Sequence, residues 1–117
     1  MKERRQFRRV LSLVPEEDVV LISMNGGSHF AAKLVDMSNG GALIYTGDPA
    51  VCPGEGGPYK LYFESHGQMF HIEGTLVRRQ THFLAFQFVN VTTLDLAEIR
   101  NKLARMEILA ARLCLSR

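Results

Sequence analysis

The chain has 117 residues, the size of one ordinary domain, and its composition of 46% apolar and 22% charged residues is typical of a soluble globular protein. The formal net charge is only +2, but Lys2–Val10 packs five positive charges and one negative charge into nine residues, which leaves the rest of the chain slightly acidic. A protein that coats nucleic acid or an anionic membrane is basic throughout, so this composition excludes that class and indicates a local site for an anion.

Six short strands are predicted through the middle of the chain, each bounded by turn residues. The first, Asp18–Ser23, is a β-branched run followed by Asn25-Gly26, a strong hairpin signal. The later strands alternate apolar and polar residues, and a stretch rich in Gly and Pro predicts a loop at 47–58. The predicted strands cover residues 18–23, 28–38, 41–46, 59–63, 68–80 and 82–91. Because no helix intervenes, the pattern predicts a six-stranded antiparallel β-barrel over residues 18–91.

Residues 93–115 lack Gly and Pro and predict a long C-terminal α-helix. Thr92 or Thr93 is expected to cap it, with Asp95 near its positive end. At 1.5 Å per residue the helix is about 30 Å long, more than a small barrel covers. Its first half is expected to close the barrel, and its surplus half is a candidate surface for a homodimer. One apolar stripe recurs at steps of three and four: Leu96, Ile99, Leu103, Met106, Ala110 and Leu113.

The cysteines and the hydropathy pattern bear on location. Cys52 and Cys114 are far apart and lack metal-binding or redox spacing, which favours reduced thiols over a disulfide. The basic start is followed by only a short apolar run, so no secretory leader is predicted. No apolar stretch approaches the roughly 18 residues of a membrane span. We therefore expect a cytoplasmic protein without membrane insertion.

No residue pattern nominates a catalyst or a metal centre. Adjacent residues on an extended chain point to opposite faces, so Glu64-Ser65-His66 does not predict a catalytic triad. The glycines of the 47–58 loop lie beside prolines, where turn geometry explains them without a phosphate-binding loop. We expect a protein that is not an enzyme and needs no cofactor. The histidines show no metal-binding spacing: His29, His66, His71 and His82.

Two remaining motifs carry the functional prediction. Arg5-Gln6-Phe7-Arg8-Arg9 contains R-x-x-x-R, with Arg4 directly before it, and Asp36–Gly41 forms D-x-S-x-x-G at the end of a predicted strand. Together, in this order and ahead of a six-stranded pattern with a C-terminal helix, they resemble the PilZ domain, the receptor module for the bacterial second messenger cyclic di-GMP (c-di-GMP). The resemblance covers most of the chain and implies a single domain over residues 1–117. Ala85 stands where this family commonly has glycine, a departure that we interpret as a packing variation.

The resemblance implies a binding site for c-di-GMP, which presents two phosphates and two guanines. Guanidinium groups would contact guanine edges and phosphates, and the Asp36 carboxylate would accept from guanine N1–H and N2–H₂. Arg78 would stack on a base, and Arg4 is associated in this family with a stacked ligand dimer. The site implied by the resemblance comprises Arg4, Arg5, Arg9, Asp36, Ser38, Gly40, Gly41 and Arg78.

The expected mechanism is ordering of a mobile basic arm, residues 1–10, across the barrel when the ligand binds, with Phe7 as its apolar anchor. The new surface would then signal to an effector protein. One alternative is an adaptor of the same fold that binds no nucleotide, against which the presence of both motifs speaks. The other is a small barrel that binds single-stranded RNA, for which the near-neutral strands lack a continuous basic groove.

Overall fold

The computed structural model describes residues 9–12, 19–23, 29–47, 56–65 and 67–115. These residues form seven strands and one helix. In chain order they are β1 (Val10–Leu11), β2 (Val19–Ser23), β3 (His29–Met37), β4 (Gly41–Tyr45), β5 (Gly56–Ser65), β6 (Gln68–Gln80), β7 (Phe83–Val89) and α1 (Thr93–Leu115). The side chains of Cys52 and Cys114 and the Asn25-Gly26 turn lie outside the described part of the chain, so the predictions about them are untested.

Six strands form a closed antiparallel barrel. Their order is β3-β2-β5-β6-β7-β4, and β4 pairs back with β3. The predicted six-stranded barrel with one C-terminal helix is therefore confirmed. The seventh strand, β1, pairs with the last two residues of β3. It was not predicted, because two residues are too few to show the alternation that marks a strand.

The strand bounds agree with the predicted ones to within two residues, except at β5. This strand begins at Gly56, three residues before the predicted start at Tyr59. Gly56 to Pro58 were assigned to a loop because Gly and Pro favour turns. In the structure the pairing with β6 shifts register between Gly56 and Tyr59, and such an irregularity accommodates a proline within a strand.

The core of the molecule is the inside of the barrel. Residues that point inward alternate along each strand, and the largest fully buried side chains include Phe63, Phe86, Leu34 and Met37. Gly74 lies among them where β6 passes close to Leu61 and to the Gln87 carbonyl. Residues on the other face of each strand form the exterior of the barrel, which carries the candidate site.

Helix α1 packs against β1, β5 and β6. Ile99 and Met106 are buried, and Leu103 packs against the core, as the predicted apolar stripe requires. Lys102 is also buried on this side, and its Nζ donates to the carbonyl oxygen of Glu64 at 2.7 Å. An apolar periodicity cannot identify a lysine as part of the buried face, because its long apolar stem packs while its ammonium group reaches a polar partner.

The start of α1 is a capping box. The Thr92 hydroxyl accepts from the Asp95 N–H at 3.0 Å, and the Asp95 carboxylate accepts from the Thr92 N–H at 3.1 Å. Of the two predicted caps, Thr92 is therefore the one used. Across the described residues, no helix has the length and apolar character needed to cross a membrane.

Candidate ligand-binding face

The two sequence motifs meet where β1 pairs with β3. Val10 lies opposite Met37 and Leu11 lies opposite Asp36. Val10 and Met37 are buried in the core, and since side chains alternate along a strand, Arg9 and Leu11 lie with Asp36 on the exterior. Nη1 of Arg9 donates to Oδ1 of Asp36 in an ion pair. The last arginine of the first motif thus contacts the aspartate of the second.

This ion pair is well covered for an exterior contact. Asp36 is only 9% exposed, and the Arg9 side chain is 26% exposed. Within the described ranges, two buried side-chain atoms have no hydrogen-bond partner: Nε of Arg9 and Oδ1 of Asn39. One is a donor and the other an acceptor, and they belong to the two motifs that meet here. Buried polar atoms are normally paired, so one unpaired atom in each motif indicates a place for a polar ligand.

The D-x-S-x-x-G motif forms the turn between β3 and β4. The Ser38 N–H donates to the Gly41 carbonyl at 2.9 Å, and the Ser38 hydroxyl accepts from the Gly40 N–H at 3.2 Å. The Gly40 carbonyl in turn accepts from the Phe88 N–H at 2.9 Å. These bonds fix the turn that contains Asn39 and attach it to β7.

Gly41 allows β7 to pass close to this turn. A Cβ atom at position 41 would lie 2.3 Å from the carbonyl oxygen of Phe86, a distance that real Cβ atoms do not adopt. Gly41 and Ser38 are both buried. Their observed contacts shape the turn, and direct contact of Ser38, Gly40 or Gly41 with a ligand stays a prediction.

Two irregular strand pairings bring Asp36 and Arg78 to the exterior. Leu34 and Leu76 point inward, so strict alternation would point Asp36 and Arg78 inward as well. The pairing instead shifts register between Leu34 and Asp36 in β3 and between Leu76 and Arg78 in β6. Each irregularity inserts one residue and turns the next side chain outward.

Asp36 and Arg78 lie in one row across the exterior of the barrel. Asp36 pairs with Leu43, Leu43 with Ala85, and Ala85 with Arg78. Neighbouring strands are about 4.8 Å apart, so β3, which carries Asp36, and β6, which carries Arg78, are about 14 Å apart along the sheet. Ala85 thus lies in the middle of this row. Arg78 itself is exposed.

The structure therefore brings together Arg9, Asp36, Ser38 and Gly40-Gly41, with Arg78 at the far end of the row. Arg4 and Arg5, and the Phe7 anchor, lie outside the described residues. The sequence analysis did not include Asn39, because the D-x-S-x-x-G motif does not specify the residue at that position. Its polar side chain within the motif was the available signal. The described chain contains no group of His, Cys, Asp or Glu side chains suited to a metal ion.

The model of the PilZ domain family matches residues 3–105. A search of curated proteins found no match. Several solved structures are similar to this chain.

The first is the PilZ domain of YcgR from Escherichia coli with c-di-GMP, with a TM-score of 0.79 and 18% identity, covering 96% of this chain and 98% of that chain. The second is YcgR from Escherichia coli in complex with c-di-GMP, with a TM-score of 0.76 and 20% identity, covering 97% of this chain and 50% of that chain. The third is the PilZ domain of CeSA from a cellulose-synthesizing bacterium, with a TM-score of 0.69 and 16% identity, covering 86% and 98%. At these identities the similarity establishes the fold.

Proposed function

Since the chain belongs to the PilZ domain family, a family of c-di-GMP receptors, we propose that it binds c-di-GMP on the barrel exterior beside the Arg9–Asp36 ion pair. PilZ domains are typically non-catalytic receptors, and we propose the same role here. The observation that carries the proposal is the Arg9–Asp36 ion pair, which joins the two motifs and, among the described residues, leaves the buried Nε of Arg9 and Oδ1 of Asn39 without hydrogen-bond partners. Each unpaired buried polar atom costs about 1 to 3 kcal/mol, so a ligand that pairs with them is favoured.

Guanine is the part of the ligand that Asp36 is proposed to recognise. A carboxylate offers about four lone-pair sites, and the ion pair with Arg9 uses one of them. The remaining sites suit the N1–H and N2–H₂ donors of guanine. Adenine lacks this pair of donors on the same edge, so the buried carboxylate would be left without its partners and adenine would be rejected.

The guanidinium groups are proposed to contact the rest of the ligand. Arg9 retains Nε for a phosphate or for a guanine edge, and charge-assisted contacts of this kind are worth about 1.5 to 3 kcal/mol each. Arg78 is proposed to stack on a base at the far end of the row. Arg5 and Arg4 are proposed to complete the phosphate contacts, with Arg4 favouring a stacked pair of ligands. Ser38, Gly40 and Gly41 are proposed to form the polar wall of the site.

The signalling mechanism that we propose is closure of the segment before Arg9 over the bound nucleotide. Arg9 and Val10 are attached to β3, which supports this proposal because the segment before Arg9 then ends at the edge of the site. Closure would create a new surface that contacts an effector protein in the cytoplasm.

Isothermal titration calorimetry tests this proposal. We expect saturable binding of c-di-GMP, with no detectable binding of GMP or of cyclic di-AMP at the same concentrations. Asp36→Asn keeps the shape of the side chain but removes its charge, and we expect it to weaken binding about tenfold or more. If the titration of c-di-GMP shows no heat of binding at any concentration, the receptor proposal is wrong. The protein is then an adaptor that binds no nucleotide.

A further inference from the structure

Helix α1 carries a second regular stripe, on the side away from the barrel. Its exposed members include Leu94, at 72%, and Ile108, at 52%. The residues that face the barrel, Ile99 and Met106, lie almost opposite this stripe when positions are counted at 3.6 residues per turn. Steps of three and four sustained over more than two heptads are the pattern of a helix that packs against another helix. The stripe consists of Leu94, Ala97, Asn101, Ala104, Ile108 and Ala111, all exposed, and is called the heptad face below.

The heptad face is complementary in shape to a second copy of itself that runs antiparallel. In that arrangement Leu94 lies opposite Ala111 of the second copy, and Ala97 lies opposite Ile108. Asn101 lies opposite Ala104 at the centre. Each larger side chain thus faces an alanine, which lets the two helices approach closely without a clash.

The charges beside the heptad face are complementary in the same arrangement. Arg100 lies opposite Glu107 of the second copy, and Glu98 lies opposite Arg105. A two-fold axis repeats each contact, so both sides of the helix pair carry opposite charges. A parallel arrangement would instead place Arg100 opposite Arg105 and Glu107 opposite Arg112 of the second copy, so that its repulsive contacts would offset its attractive ones. The charge pattern therefore favours the antiparallel orientation.

We propose that the chain forms a homodimer in which the heptad faces of two α1 helices pack antiparallel. The two barrels then lie on the outer sides of the helix pair, because Ile99 and Met106 keep each helix attached to its own barrel. This differs from the expectation that only the surplus C-terminal half of the helix would pair. It uses the exposed side of α1 from Leu94 to Ala111, and it does not depend on ligand binding.

Sedimentation equilibrium of the full chain without ligand tests the orientation as well as the dimer. We expect a monomer–dimer equilibrium that Arg100→Glu weakens about tenfold, because it turns two attractive contacts into repulsive ones. Glu107→Arg should have the same effect. The double variant Arg100→Glu with Glu107→Arg exchanges the charges and should restore dimerisation to near the wild-type level. A monomer at every concentration, or stronger association of Arg100→Glu as a parallel pair requires, would overturn the proposal.

A matched pair of lysine substitutions tests the apolar part of the heptad face. Ile108 and Met69 are almost equally exposed, at 52% and 54%, but Met69 lies on β6. We expect Ile108→Lys to abolish the dimer and Met69→Lys to leave it intact, with circular dichroism showing that both variants fold. Equal association of the two variants would also overturn the proposal.

Discussion

Arg9 and Asp36, 27 residues apart in the chain, form an ion pair on the exterior of the barrel. This pair attaches the end of the basic N-terminal segment to the start of the β3–β4 turn. The Arg9 guanidinium is therefore already in position, so the entropy cost of ordering this side chain does not reduce the free energy of ligand binding.

Asn39→Ala is expected to weaken c-di-GMP binding about tenfold without lowering the free energy of unfolding, because Asn39 Oδ1 is buried and has no hydrogen-bond partner among the described residues. Calorimetry and urea denaturation measure the two effects. Asn90→Ala is the control: it removes a 2.9 Å bond to Glu73 and places alanine at a positive φ of 55°. We expect it to lower stability and leave affinity unchanged, and equal losses of affinity in both variants would contradict the assignment.

Gly41→Ala is expected to destabilise the fold by about 2 kcal/mol, because the added Cβ meets the backbone carbonyl of Phe86 and pushes β7 away from the turn. Gly47→Ala offers a matched control, since a Cβ there meets nothing within 4 Å. Urea denaturation of both variants measures the difference. Similar stabilities for the two would show that the close approach at Gly41 does not hold in solution.

Thr92→Ala is expected to cost about 1 kcal/mol of stability, because it removes the hydroxyl that accepts from the Asp95 N–H. Thr93→Ala removes the neighbouring hydroxyl, which lies one residue inside α1, and should cost less. Thermal unfolding followed by the helical circular dichroism signal compares the stabilities of the two variants. A larger loss of stability in Thr93→Ala than in Thr92→Ala would show that Thr92 is not the capping residue.

The salt dependence of binding separates a dinucleotide receptor from an RNA-binding protein. A ligand with two phosphates releases few counterions. The logarithm of the c-di-GMP affinity, plotted against the logarithm of the salt concentration, should therefore have a slope shallower than about −2. Binding of an oligonucleotide along a basic groove would show a much steeper slope. Titrations of c-di-GMP and of a single-stranded RNA at several salt concentrations measure both slopes.

The barrel and the helix were predictable because their signals are local. Alternation along β3 and β7 and the absence of Gly and Pro from α1 each follow from a short stretch of sequence. The helix cap was predicted only as Thr92 or Thr93, and the structure assigns it to Thr92, whose hydroxyl accepts from the Asp95 N–H. Lys102 was not predictable, because its burial depends on the carbonyl of Glu64, which a distant part of the chain supplies.

The geometry of the site was less predictable than its composition. The two motifs identify Arg9 and Asp36, and the family resemblance adds Arg78, but strict alternation from Leu34 and Leu76 would have pointed Asp36 and Arg78 into the core. The register shifts that turn them outward arise where β3 pairs with β4 and where β6 pairs with β7. The alternation of apolar residues along a single strand does not predict them. The role of Gly41 likewise depends on how close β7 passes, and no single strand encodes that distance.

The most direct test of the proposed receptor is calorimetric titration of c-di-GMP into the wild-type protein, Arg9→Ala and Arg112→Ala. Arg112 is an exposed arginine in the last turn of α1, so its variant controls for loss of a positive charge. We predict saturable binding that is weakened at least about tenfold by Arg9→Ala and unchanged by Arg112→Ala, with two ligands per chain if Arg4 holds a stacked pair. Absence of binding to the wild type, or equal affinities for all three proteins, would contradict the account.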